Sequence, residues 1–403
     1  MRMEGGETRT MLHAGVGFSI SNNPRVAAAE ATRTAMAQAG LHHAAGALCF
    51  ATTAHGAAFG LIVRTVAAEA RTREVAGCSS VGVIVAEREI ESGPAVAVMV
   101  FGGTSLGAKR LFVPSLRGRA REAAAEIASA VRPALGANNL LCLFVDTYNT
   151  EPDVLLSALG RELPGVMVVG GGASEDGSIG ETFQFCGDTV SSNAAAGMLL
   201  AGDFDLNVGA SLACTPLGRT YRVTAVRDNV LAELDGRRAY DVFAEAAGPL
   251  VEDLKRAVAF VFLGVPLDPQ AEQMERGRYL VRNIVGASGD HGVIAVAHRP
   301  KIGDRVGFAL RNGERSRDDL KATLEEMQAR AAAPPAFGLY FDCVSRGAAL
   351  YNIPDHDSAY IGRDLGHVPI AGFFTGFEIG PLSTGYGALQ YSGVLALVGG
   401  KKS

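Results

Sequence analysis

This chain of 403 residues has no apolar run approaching the roughly 18 residues that a bilayer-spanning helix requires. Stretches such as Ala257 to Leu267 are the length of buried strands. The segment Met1 to Met11 is polar and carries four charged side chains, so it lacks the apolar core of a secretory signal. Six cysteines, Cys49, Cys78, Cys142, Cys186, Cys214 and Cys343, are scattered, with no Cys-x-x-Cys pair and no cysteine–histidine cluster at zinc spacing. A disulfide framework and a structural metal are therefore not expected, and a soluble protein of the reducing cytoplasm is. Net charge is −5 and the arginines are dispersed, without the concentrated positive face that phosphate backbones demand. Neither nucleic acid nor a membrane is an expected partner. Familiar catalytic signatures are missing too: there is no Gly-Lys-Ser/Thr, and none of the eight histidines stands at His-x-x-x-His or Glu-x-x-His spacing.

What the chain does contain is one pattern written three times. An apolar strand is followed, after a helix-length gap, by a second apolar strand that breaks into a glycine-rich turn, and then by a third apolar run ending in glycine. The first strands are Leu48–Thr52, Leu143–Thr147 and Leu339–Cys343; the second are Val75–Ser80, Val169–Ser174 and Ile370–Phe374; the third end at Gly102, Gly202 and Gly399. Aligned by eye, Thr52, Thr147 and Cys343 share one position and Gly77, Gly171 and Gly372 another, roughly 24 to 29 residues apart, as a recurring supersecondary unit requires. A fourth, degraded copy is expected at Val258–Leu263, Tyr279–Ile284 and Gly292–Val296.

Helices are read at Pro24–Gly40, Arg117–Leu135, Asp153–Leu163, Ala239–Ala247 and Arg317–Ala332, the last capped by Ser316. Between Val208 and Gly236 the pattern turns to strands, which sets a boundary near Gly236 and two domains, residues 12–236 and 237–399. Alternating helices and strands give an α/β or α+β fold: two domains of repeated strand-helix-strand units, with mixed sheets layered by helices.

Several residues could carry chemistry. Gly170-Gly171-Gly172-Ala173-Ser174-Glu175-Asp176-Gly177 lacks the third glycine of a dinucleotide fingerprint, so it reads as a tight turn or as a turn that contacts a ligand. Cys343 precedes Arg346, whose guanidinium would lower a nearby thiol pKa; it is a nucleophile, a ligand contact or a buried structural cysteine. Cys78, in Gly77-Cys78-Ser79-Ser80, carries the same ambiguity. Glu378, between glycines and aromatics, suits a cationic partner or a structural hydrogen bond.

Taken together, Val75-Ala76-Gly77-Cys78-Ser79-Ser80, Val169 to Asp176, Glu233-Leu234-Asp235-Gly236, Tyr279-Leu280-Val281-Arg282-Asn283, Cys343-Val344-Ser345-Arg346-Gly347 and Pro369 to Phe374 with Glu378-Ile379-Gly380-Pro381 resemble the FIST family, a FIST N domain followed by a FIST C domain. The resemblance covers about residues 15 to 398. It departs from the family in placing Phe377 before Glu378, where relatives commonly have glycine. The resemblance implies an intracellular sensory module that binds a small ligand, an amino acid or related metabolite, with no resident cofactor. It also implies a separate signalling partner protein, because no output segment follows. Haem and nitric-oxide sensing is an alternative taken from bacterial relatives, with His55 the candidate axial ligand, and a thiol enzyme using Cys343 is another; an enzyme is the less expected outcome. The glycine turns and strand ends are expected to meet at a shared cleft, with Cys78, Ser79, Gly171, Gly172, Ser174, Asp176, Cys343, Arg346, Gly372, Phe373 and Glu378 as ligand contacts. There Arg346 would hold an anionic group and Glu378 a cationic one.

Overall fold

The computed structural model describes residues 12–383 and 385–401; the polar Met1 to Met11 segment lies outside them. The three copies form three six-stranded sheets of matching order. In the first, Leu12–Ser19, Val96–Gly103, Gly46–Thr52 and Val75–Ser80 lie side by side, with the last two parallel. Leu106–Pro114, Ala194–Gly202, Asn138–Val145 and Met167–Gly172 repeat that order, as do Phe204–Leu212, Ser392–Gly400, Pro335–Cys343 and Ile370–Thr375. Each repeat then sends a hairpin into another repeat's sheet. The first gives Val83–Val85 and Arg88–Ile90 to the third, the second gives Gln184–Cys186 and Thr189–Ser191 to the first, and the third gives Glu378–Leu382 and Gly385–Leu389 to the second. The exchange is cyclic and covers the edge of each parallel pair, where unpaired backbone would otherwise be exposed. Two of the three sheets consequently draw strands from both sides of residue 236.

Strand periodicity explains the layering. Leu48 and Phe50 point to a shared central core while Ala47, Cys49 and Ala51 point outward to helices; Cys142 and Phe144 face the centre while Leu141, Leu143 and Val145 face out. With both faces covered, these strands read as continuous apolar runs. At the centre Phe50, Phe144 and Phe341, one from each repeat, stand 5.3 to 6.5 Å apart, with Phe373 against all three. Burying each ring contributes roughly 1.5–3 kcal/mol. Outside, helices Pro24–Ala39 and Phe59–Ala70 cover the first sheet, Ala120–Val131 and Pro152–Glu162 the second, Gly313–Arg330 and His356–Leu365 the third. The first of these starts where Asn23 caps the Arg25 and Val26 N–H groups and stops at Gly40 in the left-handed region, as the sequence signals require.

Pairing corrects the alignment of the second copy by one residue. Cys49 lies opposite Gly77, Leu143 opposite Gly170 and Tyr340 opposite Gly372, so the equivalent glycines are 77, 170 and 372, and Thr52 matches Asp146 rather than Thr147. The physical reason is close approach: a Cβ on these glycines would sit 1.7, 2.1 and 1.5 Å from the carbonyl oxygen of the opposite residue.

The expected fourth copy is not one. Val261–Pro266 and Tyr279–Arg282 pair antiparallel, whereas the repeat demands a parallel pair, and Val293–Val296 joins a different neighbour. They belong to an eight-stranded insert within the third repeat, running from Cys214–Arg227 to Arg305–Arg311. The following helix starts at Gly313, capped by Asn312, earlier than the expected Ser316 cap; Ser316 is buried and bonds Tyr351.

Candidate functional site

The third parallel pair ends differently from the other two. Its outward-facing Asp342 occupies the position held by Ala51 and Val145 in the other copies, and Glu378 the position held by Val83 and Gln184. Beyond Cys343 the chain turns through Arg346 and Gly347 (φ 59°) into the helix His356–Leu365, whose first turn carries Asp357. These turns bring a fully buried guanidinium between two fully buried carboxyls. Arg346 Nε lies 2.8 Å from Asp342 Oδ1, and its Nη2 lies 2.6 Å from Asp357 Oδ2. The Tyr340 hydroxyl is 2.9 Å from Asp357 and 3.2 Å from Asp342.

Around this core, Arg317 donates to His356 Nε2 at 3.0 Å, and His356 Nδ1 lies 2.9 Å from Asp357 Oδ1. Tyr351 stacks on His356 with ring centroids 3.7 Å apart and lies 5.8 Å from the Arg346 guanidinium. The roof comes from the first repeat's exchanged hairpin. Glu89 accepts from the Ser358 N–H at 2.8 Å, Glu91 just beyond it accepts from the Ala348 N–H at 2.9 Å, and Asp355 accepts from the Glu89 N–H.

Environment separates the carboxyls. Burial opposes ionisation of Asp357, but Arg346 and the His356 hydrogen bond outweigh it and hold the group below the usual range. Burial drives Asp342 well up, with Arg346 opposing and the other carboxylates reinforcing. Glu89 is pushed to about 7, chiefly by burial and against its Ser358 hydrogen bond, with Asp357 and Glu91 adding to the rise. Glu378 is also pushed to about 7 by burial, despite hydrogen bonds to Ser392 and Thr375 at 2.6 Å each. Three buried polar atoms in this cluster have no hydrogen-bond partner: Asp342 Oδ2, Arg346 Nη1 and Glu89 Oε2. A buried charged atom left unsatisfied is costly, and these three are the open hydrogen-bonding positions of the cluster.

A family model for the FIST N domain matches residues 46–237, and one for the FIST C domain matches residues 239–381. The chain belongs to the FIST family. FIST domains are sensory domains, so the family places this chain in signal transduction. Similar proteins include an uncharacterized protein of Mycobacterium tuberculosis, 30% identical over 94% of this chain and 97% of its own length, and one of Mycobacterium bovis, 28% identical over 92% and 95%. Among solved structures, a cyanuric acid hydrolase from A. caulinodans aligns with 49% of this chain and 72% of its own at TM-score 0.31 and 12% identity. A chorismatase aligns with 98% and 100% at TM-score 0.32 and 9% identity. Likeness at that level carries no inference about activity.

Within this FIST fold the expected contacts fall into four groups. Cys343, Arg346, Glu378, Gly171 and Gly172 are brought together: Gly171 pairs with Glu378, and Thr375 pairs with Cys343 while bonding both Glu378 and the Asp342 carbonyl. Ser174 meets Ser80 at 3.1 Å and donates to the Phe374 carbonyl, a polar knot joining all three repeats. Cys78, Gly372 and Phe373 serve packing, and Ser79 ties down the Phe183 N–H at 2.9 Å. Asp176 is exposed, folded back on Ser178.

Burial bears on three of these expectations. Arg346 does not activate Cys343: burial, followed by the nearby Glu378 carboxyl, pushes the thiol well above its ordinary value. Arg346 is itself largely committed to Asp342 and Asp357. Glu378 is satisfied by Thr375 and Ser392, and the open carboxylate oxygens belong to Asp342 and Glu89. Among the residues that were missed, Asp342 had a readable signal, a charge inside an apolar strand whose copies carry alanine and valine; Glu89, brought from another repeat, had none.

His55, the expected haem ligand, is buried with an unpartnered Nε2, and burial lowers its pKa. No histidine lines any of five hollows on the described residues. One of these hollows, about 280 Å³, lies between the insert and helix Gly313–Arg330, against Cys214, Tyr279, Arg276 and Asp319.

Proposed function

We propose that this FIST protein is a cytoplasmic sensor whose small ligand, an amino acid or related metabolite, binds at the Asp342–Arg346–Glu89 cluster and whose signal is read by a separate protein. The observation that carries this reading is the set of three unpartnered atoms on three buried charged side chains, two from the third repeat and one from the first repeat's hairpin that lies against it. The comparison within the fold is informative. Asp146, the buried acid of the second repeat, has both oxygens occupied by the N–H groups of Tyr148, Asn149 and Asn193, the arrangement of a structural cap. Asp342 is not finished in that way. The unpartnered Arg346 Nη1 suits a carboxylate or carbonyl oxygen, and the two carboxyl oxygens suit an amino group. Entry requires the exchanged hairpin and the segment Gly347–Asp355 to part, a step that gives a partner protein something to detect.

A thermal-shift screen of the full chain against amino acids and related metabolites tests this reading. A ligand present at 100 times its dissociation constant adds about 2.7 kcal/mol to stability. The expected result is a stabilising metabolite whose effect disappears in Asp342→Asn. A screen in which nothing stabilises the protein overturns the reading.

A further inference from the structure

We propose that this cluster takes its ligand as a cation, a small molecule bearing an ammonium or guanidinium group, in exchange for protons held on its carboxyls. The inference rests on the site assigned above and adds the charge of the ligand and its linkage to pH.

The argument is a count of charges in a closed space. Four carboxyls, Asp342, Asp357, Glu89 and Glu378, share the interior with one guanidinium, Arg346. His356 lies between Arg317 and Asp357 and bonds both. Arg346 bridges Asp342 and Asp357, and one guanidinium against four carboxyls leaves a formal excess of three acidic groups. Two of the carboxyls present an unpartnered oxygen, Asp342 Oδ2 and Glu89 Oε2, while Glu378 has both oxygens occupied. An independent feature marks the space as a receptor rather than an acidic cluster alone: Arg346, fully buried, also leaves Nη1 without an acceptor.

The groups facing these carboxyls come from several elements. Asp342 is faced by Arg346, Asp357, Glu89 and Glu378; Glu89 is faced by Asp357 and Glu91 and by the Ser358 N–H. Asp355, paired with Arg88, closes the edge. Without a ligand cation the charge excess favours protons on the carboxyls, in keeping with the upward displacement of Asp342 and Glu89. A ligand N–H₃⁺ or guanidinium placed against both oxygens supplies the missing donors and makes the protons redundant. Each carboxylic O–H that ionises releases one proton to solvent as the cation enters, so charge is conserved. A single hydroxyl, carbonyl or carboxylate oxygen on the same ligand satisfies Arg346 Nη1.

The test is calorimetric titration of the full chain with putrescine, agmatine and L-arginine, with butanediol as the uncharged control, near pH 6 and near pH 8. Because the cation competes with protons, affinity should rise with pH, by up to about tenfold per pH unit for each proton released while the carboxyl is still protonated. Buffers of different ionisation enthalpy should report that release directly. Asp342→Asn and Glu89→Gln, near-isosteric changes whose folding is checked by circular dichroism, should each weaken binding at least about tenfold and flatten its pH dependence. Failure of all three cations to bind, equal binding of butanediol, or affinity that is level or falls with pH overturns the proposal. A neutral metabolite that binds and is lost in Asp342→Asn overturns the cation and leaves the site standing. A cation that binds equally well to both variants overturns both.

Discussion

Replacing Glu378 by glutamine removes one ionisable group from the interior and leaves its shape unchanged. Glu378 is fully buried, and its carboxyl is raised from 4.5 to about 7 by burial, against the hydrogen bonds from Ser392 and Thr375. In the unfolded chain it loses its proton near the ordinary glutamate value, about 4.3. The folded protein therefore binds more protons than the unfolded one between these two values, and stability falls as pH rises through that window. Above about pH 7 the accumulated cost is on the order of 3 kcal/mol. Glutamine carries no such cost, and the hydrogen bonds can be kept. Its amide oxygen accepts from the Ser392 N–H and hydroxyl, its NH₂ donates to Thr375 Oγ1, and the Thr375 hydroxyl turns to the Asp342 carbonyl 3.0 Å away. The fold already holds a buried glutamine, Gln184, at the equivalent position of the second repeat. Urea unfolding of Glu378→Gln should thus match the wild type near pH 4 and exceed it by about 1–3 kcal/mol near pH 8. The chain has no tryptophan, so far-ultraviolet circular dichroism is the suitable signal. A variant that runs parallel to the wild type across this range, or is less stable near pH 8, refutes the reasoning.

Arg346→Met leaves Asp342 and Asp357 buried without their cation and should cost about 3–5 kcal/mol near neutral pH by chemical denaturation; a cost under about 1 kcal/mol would show the guanidinium to be dispensable. Gly372→Ala places a Cβ 1.5 Å from the Tyr340 carbonyl oxygen and should cost more than about 4 kcal/mol or prevent folding, judged by expression and melting temperature. Cys343 should react with iodoacetamide more slowly in the native protein than free cysteine does, and at the ordinary rate in urea; rapid native labelling would restore a thiol role.

Much of the fold was legible because apolar strands announce themselves. The three-copy pattern, the capped helix at Pro24 and the α/β character all follow from local periodicity. The one-residue slip in the second copy arose because Gly170, Gly171 and Gly172 stand in a row, and composition does not say which of them must approach a carbonyl. The false fourth copy arose because apolar run lengths do not distinguish parallel from antiparallel pairing. Cys343, Arg346 and Glu378 were recognisable as unusual residues near strand ends, yet their expected roles assumed exposure. Burial reversed that expectation for the Cys343 thiol and left the guanidinium and the Glu378 carboxyl engaged with neighbours.

The amino-acid order alone determines the three clear copies of the unit, most strand and helix types and the family, since these depend on spacing within some tens of residues. Which charges share one interior was decided by the tertiary structure. The cyclic exchange of hairpins carries Glu89 from the first repeat to the helix that bears Asp357 in the third, a pairing 268 positions apart in sequence that no local pattern encodes. Coulombic and desolvation energies act through space, and only the closed fold sets those distances.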